Sequence, residues 1–74
     1  MTLDQLSAGQ SAHVASYTHL PLDAKKRLLA LGLIPRSKIK LVRRAPLGEP
    51  LQVHFNGIDL ALRSAQARCI EVTL

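Results

Sequence analysis

The sequence is poor in the residue types on which most catalytic and metal sites are built. Its 74 residues include one cysteine, Cys69, so it can form no intramolecular disulfide and no zinc site built on several cysteines. It contains no tryptophan, and Tyr17 and Phe55 are its aromatic residues. The five acidic residues are scattered, and no two share a spacing that would place them together on one helix. We therefore expect no catalytic residues and predict a binding domain, not an enzyme.

Long apolar segments are also missing. No apolar run approaches the ~20 residues that a membrane-spanning helix needs, and residue 1 is not followed by the basic leader and apolar stretch of a secretion signal. These absences predict a cytoplasmic protein that does not insert into the membrane. A chain of this length is expected to form one domain with little room for a deep cleft, so its outer surface or self-assembly must perform its function.

The charge balance is basic, with ten lysines and arginines giving a net charge of +5. Such a charge is typical of proteins with an anionic partner, and equally of proteins that need it for solubility. A basic strand carries Lys38, Lys40, Arg43 and Arg44. A nucleic-acid-binding barrel is therefore an alternative, although single-strand binders stack bases on exposed aromatic residues. Because Phe55 is assigned to the core, Tyr17 is the one aromatic residue left for base stacking. The sequence therefore does not favour a nucleic-acid-binding function.

Apolar periodicity predicts one helix and five strands. The helix covers residues 22–31, and the strands cover residues 10–17, 37–45, 51–55, 58–62 and 68–72. Short helical turns are expected at residues 2–5 and at residues 64–67, the second capped by Ser64. Inward positions of the first strand are Ala12, Val14 and Ser16, and a bulge is predicted near Val42.

Two local signals set the element ends. Gly32 is suited to the left-handed position after the helix, with Leu33 packing back on the last turn and Pro35 preventing continuation. The pair Asn56-Gly57 predicts a type I′ hairpin. Together the elements predict a mostly-β fold: a small five-stranded SH3-like barrel with one α-helix inserted after the first strand. An OB-like barrel is the nearest alternative.

Histidines are the remaining candidates for metal binding. His13, His19 and His54 share no ligand-pair spacing with one another or with Cys69. If the strands that begin at residues 10 and 51 were neighbours, His13 and His54 would meet on the outer face, which makes them weak metal candidates. Because zinc and iron sites require three or four converging ligands, we expect no cofactor.

The most distinctive segment is the loop at residues 45–50, which holds two prolines and a glycine. The prolines restrict the backbone and so lower the entropy lost when a partner docks. An apolar tip at Leu47 beside two arginines is typical of a docking patch, but the loop could also serve only to fix strand register. Placing the helix end beside this loop, we predict a partner-binding set of Leu33, Ile34, Arg43, Arg44, Pro46, Leu47, Gly48 and Pro50.

Three segments resemble the ferrous iron transport protein A (FeoA) family. They are residues 27–35 (RLLALGLIP), residues 44–50 (RAPLGEP) and residues 60–63 (LALR), and the resemblance extends from residue 6 to residue 72. The chain departs from the family at Arg36, where glycine usually follows the proline. A type II turn requires positive φ there, so the turn is either type I or strained at Arg36.

The resemblance implies a cytosolic accessory of bacterial ferrous iron uptake. Such proteins are thought to dock on the cytosolic GTP-binding part of a membrane ferrous iron transporter and to modulate it. The same fold resembles the C-terminal domain of iron-dependent repressors, so a metal-sensing domain is a further alternative. Self-association through an exposed edge strand is also compatible with so small a domain.

Overall fold

The elements of the structure follow the predicted order. The structure, a computed structural model, describes residues 1–74. Its strands are β1 (Ser11–Tyr17), β2 (Lys38–Arg44), β3 (Leu51–Phe55), β4 (Ile58–Leu62) and β5 (Ile70–Thr73). Its helices are α1 (Leu22–Ala30) and the single turn α2 (Ser64–Ala67), and a 3₁₀ turn covers Leu3–Gln5.

All five strands form one antiparallel sheet in the order β4-β3-β2-β1-β5. The expectation of a mostly-β fold with one long helix after the first strand is confirmed. The barrel does not close, because β4 and β5 lie at opposite edges and are not hydrogen-bonded to each other. The β5 edge is partly covered, since Thr2 bridges Glu71 and the Val72 amide donates to the Met1 carbonyl at 2.8 Å. The β4 edge has no such neighbour.

The core is aliphatic, as the composition predicts. Fifteen buried residues form one cluster, and none of them is polar or charged. Phe55 is its single buried aromatic residue, and Leu28 is the one residue of α1 that is fully buried. Leu29, the next residue of α1, is exposed. The sheet, α1 and the two short helical turns therefore enclose the core without burying a polar group.

The inner face of β1 differs from the prediction at one residue. Ala12 and Val14 are buried as expected, but Ser16 is exposed. The register with β5 shifts between Val14 and Ser16, so one extra residue lies on β1 and the alternation reverses. The one bulge that the sequence predicted, near Val42, is confirmed, because the register of β2 with β3 shifts between Leu41 and Arg43. Val42 is the extra residue on β2 and follows the buried Leu41 onto the outer face, and the bulge places the next residue, Arg43, on that face as well.

The end of α1 and the β3–β4 turn meet in space. The Leu33 amide donates to the Leu28 carbonyl and the Gly32 amide to the Leu29 carbonyl, both at 3.0 Å, with Gly32 at φ +93. These are the bonds of a Schellman motif. Asn56 and Gly57 both have positive φ, as a type I′ turn requires. A Cβ on Gly32 would lie 2.4 Å from the Asn56 side-chain nitrogen, so only glycine permits this contact.

Candidate functional site

The loop between β2 and β3 forms a rigid, solvent-facing tip. The Gly48 amide donates to the Ala45 carbonyl at 2.8 Å, and the Ala45 amide donates to the Pro50 carbonyl at 3.1 Å. Pro46 and Leu47 occupy the two central positions of the turn, where proline restricts the backbone before any contact is made. Leu47 is 96% exposed, more than any other large apolar side chain of the protein. The loop therefore presents one leucine to solvent on a closed backbone.

A carboxylate ties the loop to α2. Glu49 accepts hydrogen bonds from the amide and the hydroxyl of Ser64, each at 2.6 Å. These two bonds, with weaker help from Arg63 and Arg68, hold the pKa of Glu49 below its ordinary value. The expectation that Ser64 caps α2 is therefore wrong. Ser64 is the first helical residue, and Glu49 supplies the acceptor from 15 positions away in the sequence.

The two arginines that precede the loop have different surroundings. Arg43 is exposed and its Nε donates to the Gln52 side chain at 2.9 Å, which leaves the rest of the guanidinium free for a partner. The guanidinium of Arg44 instead donates to the Leu6 carbonyl at 2.9 Å and to the Asp4 carbonyl. Arg44 thus joins β2 to the N-terminal turn, a contact that no local sequence signal indicates.

A groove next to Arg43 extends the candidate surface onto the sheet. It encloses about 490 Å³ and is lined by Val42, Gln52, Asp59, Leu60 and Ala61. Val42 is 40% exposed, because the alternation after the buried Leu41 places it on the outer face of the sheet. The sequence prediction omitted this groove, although the broken alternation at Val42 was the signal that could have revealed it.

The predicted partner-binding set does not form one surface. Gly32 and Ile34 lie near Asn56, at the end of β3, whereas the Ala45–Pro50 bond closes the loop at the start of β3. Because β2 has seven residues, about 20 Å of extended strand separates the helix end from the loop. Leu33 is fully buried and its carbonyl accepts a hydrogen bond from Tyr17, so its side chain cannot contact a partner. Ile34 is 52% exposed, but at the opposite end of the sheet.

The members of the predicted set that lie together at the loop, here called the loop surface, are Arg43, Pro46, Leu47, Gly48 and Pro50. Four of these residues are exposed and Gly48 is half-buried. The Glu49–Pro50 peptide bond is cis. The loop surface is cationic and apolar, with no carboxylate except Glu49, which is already bonded to Ser64.

The histidines are not brought together. The strand β2 lies between β1 and β3, with His13 opposite Lys38 and His54 opposite Lys40. The supposition that these strands are neighbours, on which the pairing of His13 with His54 depended, is therefore wrong. His54 Nδ1 lies 2.8 Å from Asp59 Oδ1, and no group of three or more potential ligands converges in the structure.

The fold and the exposed loop together define a class of protein. A five-stranded antiparallel sheet wrapped over an aliphatic core, with one helix after β1 and a protruding β2–β3 loop, is a small SH3-like barrel domain. No helix in it is both long and apolar enough to cross a membrane.

The comparisons with known proteins then give the family. The FeoA domain model matches residues 1–74, and the chain belongs to the FeoA family. It is 31% identical over 74 residues to a Campylobacter jejuni protein described as a putative Fe(2+) transport protein A, covering all of this chain and 99% of that protein.

Two solved structures show the same fold. The solution structure of FeoA from Chlorobium tepidum has a TM-score of 0.95 at 39% identity, covering 100% of this chain and 70% of that one. The zinc-complexed FeoA of Stenotrophomonas maltophilia has a TM-score of 0.84 at 33% identity, covering 97% of this chain and 88% of that one. That protein is described as a procaryotic SH3 domain protein and a candidate activating factor for bacterial ferrous iron transport.

Proposed function

We propose that this protein is a cytoplasmic accessory of bacterial ferrous iron uptake that docks on the cytosolic GTP-binding part of the membrane ferrous iron transporter and modulates it. Membership in the FeoA family and similarity to proteins described as acting in ferrous iron transport support the role. The docking step and the choice of partner are the parts that need a direct test.

The observation that carries the docking proposal is the exposure of Leu47 on a pre-formed loop. An apolar side chain that is 96% exposed gains free energy when a partner covers it, and the closed turn limits the entropy lost on binding. Arg43 stands next to this tip with free donors, and arginine is one of the residues enriched in interfaces. The partner surface should therefore offer an apolar pocket with a carboxylate at its rim.

The test compares two aspartate substitutions at opposite ends of the sheet. Leu47→Asp places a charge at the loop tip, and Ile34→Asp places the same charge beside the helix end, at a residue that is also exposed. We expect Leu47→Asp to weaken binding to the purified cytosolic part of the transporter by at least about tenfold. An apolar side chain that becomes buried in a complex contributes a binding free energy of the size that this change requires. Calorimetric titration should show Ile34→Asp binding like the unmodified protein. Equal binding by the Leu47 variant would exclude the loop surface as the docking site.

The nucleic-acid alternative has less support in the structure. Phe55 is buried in the core, and Tyr17 is half-buried with its hydroxyl bonded to the Leu33 carbonyl. No aromatic ring is thus left on the surface for base stacking. A nucleic-acid binder should show oligonucleotide affinity that falls steeply with salt. We expect no such binding in an electrophoretic shift assay at low salt.

A further inference from the structure

A second groove lies on the outer face of the sheet, away from the loop surface. It encloses about 400 Å³ and is lined by Ser11, Lys38, Lys40, His54, Phe55 and Asn56. Strand register places Ser11, Lys40 and His54 in one row across three strands, with Lys38 two residues from Lys40 on the same face. We call this set the lysine groove.

Hydrogen-bond donors dominate the lysine groove. Lys38 and Lys40 are exposed, and neither lies within ion-pair distance of a carboxylate; Glu71 contacts the Met1 amino group and Asp59 contacts the His54 ring instead. Ser11 adds a hydroxyl, and His13, opposite Lys38, adds a second imidazole at the margin. The nearest carboxylate by register, Asp59, is held by His54 Nδ1 at 2.8 Å. The groove is therefore a cationic surface whose two ammonium groups lack a counter-charge within the protein.

We propose that the lysine groove binds an extended acidic segment of a partner protein, with carboxylates at alternate positions. Lys38 and Lys40 are two residues apart on an extended strand, so their stems emerge roughly 7 Å apart. Alternate side chains of an extended peptide repeat at the same distance, so two carboxylates at positions i and i+2 face the two ammonium groups. Ser11 donates its hydroxyl to the first or second of these carboxylates from the neighbouring strand.

Two features favour a peptide over other anions. The groove has no exposed aromatic ring, since Phe55 is buried beneath it, so bases of a nucleic acid have nothing to stack on. It is an open surface formed by side chains of three strands, which suits a segment lying along β2 better than a single small ion. It lies toward the opposite end of β2 from Leu47, so both surfaces can be occupied at once, and the proposal does not depend on transporter docking.

The experiment uses the full chain and a synthetic peptide in which glutamate alternates with threonine. The peptide is titrated into the ¹⁵N-labelled protein, and a control peptide carries glutamine in place of each glutamate. We expect amide shifts at Ser11, Lys38, Lys40 and His54 with the acidic peptide and none with the control. The double variant Lys38→Gln/Lys40→Gln should bind about tenfold more weakly, the combined effect of two exposed ion pairs.

A matched variant separates the effect of the groove residues on peptide binding from the effect of the net charge. Lys25→Gln/Lys26→Gln removes the same charge from the solvent face of α1, and all four lysines are exposed, so neither pair is needed for the core. Equal weakening by both pairs would show a non-specific charge effect and overturn the proposal. Tighter binding of an oligonucleotide of equal charge, or the same shifts with inorganic phosphate at the same concentration, would also overturn it. Leu47→Ser should leave peptide binding unchanged, which separates this result from that of the docking test.

Discussion

Arg36 is one of three non-glycine residues with positive φ, and its φ is the largest of the three. Its φ is 76, and the Ser37 amide donates to the Ile34 carbonyl at 3.0 Å, so the turn has the positive φ of a type II turn. Of the two outcomes that the sequence left open, the structure shows the strained one. An L-residue with a Cβ loses roughly 1–2 kcal/mol in the left-handed region, part of which glycine recovers despite its larger unfolded-state entropy.

We therefore expect Arg36→Gly to stabilise the protein. The free energy of unfolding, measured by urea denaturation, should rise by about 0.5–1 kcal/mol. Arg36→Ala is the control, because it removes the same charge and keeps the Cβ, and it should give no comparable gain. A loss of stability in the glycine variant would mean that Arg36 makes a stabilising contact that outweighs the strain.

Tyr17 offers a second test at the level of one residue. Its hydroxyl donates to the Leu33 carbonyl, and burial raises the pKa of Tyr17 to about 12 from an ordinary value of 10.0. Because the raised pKa belongs to the folded state, its contribution to stability is complete below pH 10 and is lost as pH rises through the folded value.

Tyr17 is the single tyrosine of the chain, so its ionisation can be followed directly by ultraviolet absorbance. We expect the titration of the folded protein to have its midpoint near pH 12, and that of the urea-unfolded protein near pH 10. Coinciding midpoints in the two states would contradict the partial burial of the Tyr17 ring in the folded protein.

At the level of elements, Glu49 connects the β2–β3 loop to α2. The two bonds from Ser64 lower the pKa of Glu49 in the folded state. The carboxylate therefore stabilises the fold at pH values above the pKa that Glu49 has in the unfolded chain. This contribution is lost as the pH falls through the folded-state pKa. The melting temperature of the unmodified protein should thus fall more steeply in acid than that of Glu49→Gln.

The measurement is the difference in melting temperature between the two proteins as a function of pH. It should be largest near neutrality and shrink below the ordinary Glu49 value of 4.5. A difference that stays constant with pH would show that the carboxylate charge does not matter to the contact. Ser64→Ala keeps the backbone amide but loses the hydroxyl. The pH dependence of its melting temperature should lie between those of the unmodified protein and Glu49→Gln.

Elements set by short-range signals could be predicted from the sequence. The β3–β4 hairpin, for example, has the bounds that Asn56-Gly57 and the flanking alternation indicate, and Gly32 ends α1 as expected. Ser16 was misplaced because a bulge depends on the partner strand, which the sequence of β1 alone does not contain. Likewise, the caps that Arg44 and Glu49 provide join segments far apart in the chain, and no local pattern signals them.

The candidate site was only partly predictable for the same reason. Leu47 could be assigned to an exposed tip from its flanking prolines, whereas joining Ile34 to that tip required knowing that β2 runs away from the helix end. The burial of Leu33 follows from its role in the Schellman motif, which fixes its side chain against the last turn of α1. Strand direction, rather than residue type, decided which residues share a surface.

At the scale of the whole molecule, the chain has an apolar core and two exposed surfaces of different character. Its interior contains 15 apolar residues and no polar side chain. The loop surface and the lysine groove occupy different parts of one sheet, one offering an apolar tip and the other a row of cations. A domain only 29 × 23 × 21 Å in extent can therefore present two distinct surfaces to its partners.

Docking through the β2–β3 loop is tested most directly by mapping the interface on the ¹⁵N-labelled protein. Unlabelled cytosolic part of the ferrous iron transporter is added stepwise, and amide shifts are recorded across the chain. The account predicts that the largest shifts fall on Arg43, Leu47 and Gly48, with Ile34 and Ser37 unaffected. Shifts confined to the helix end, with an unchanged loop, would contradict it.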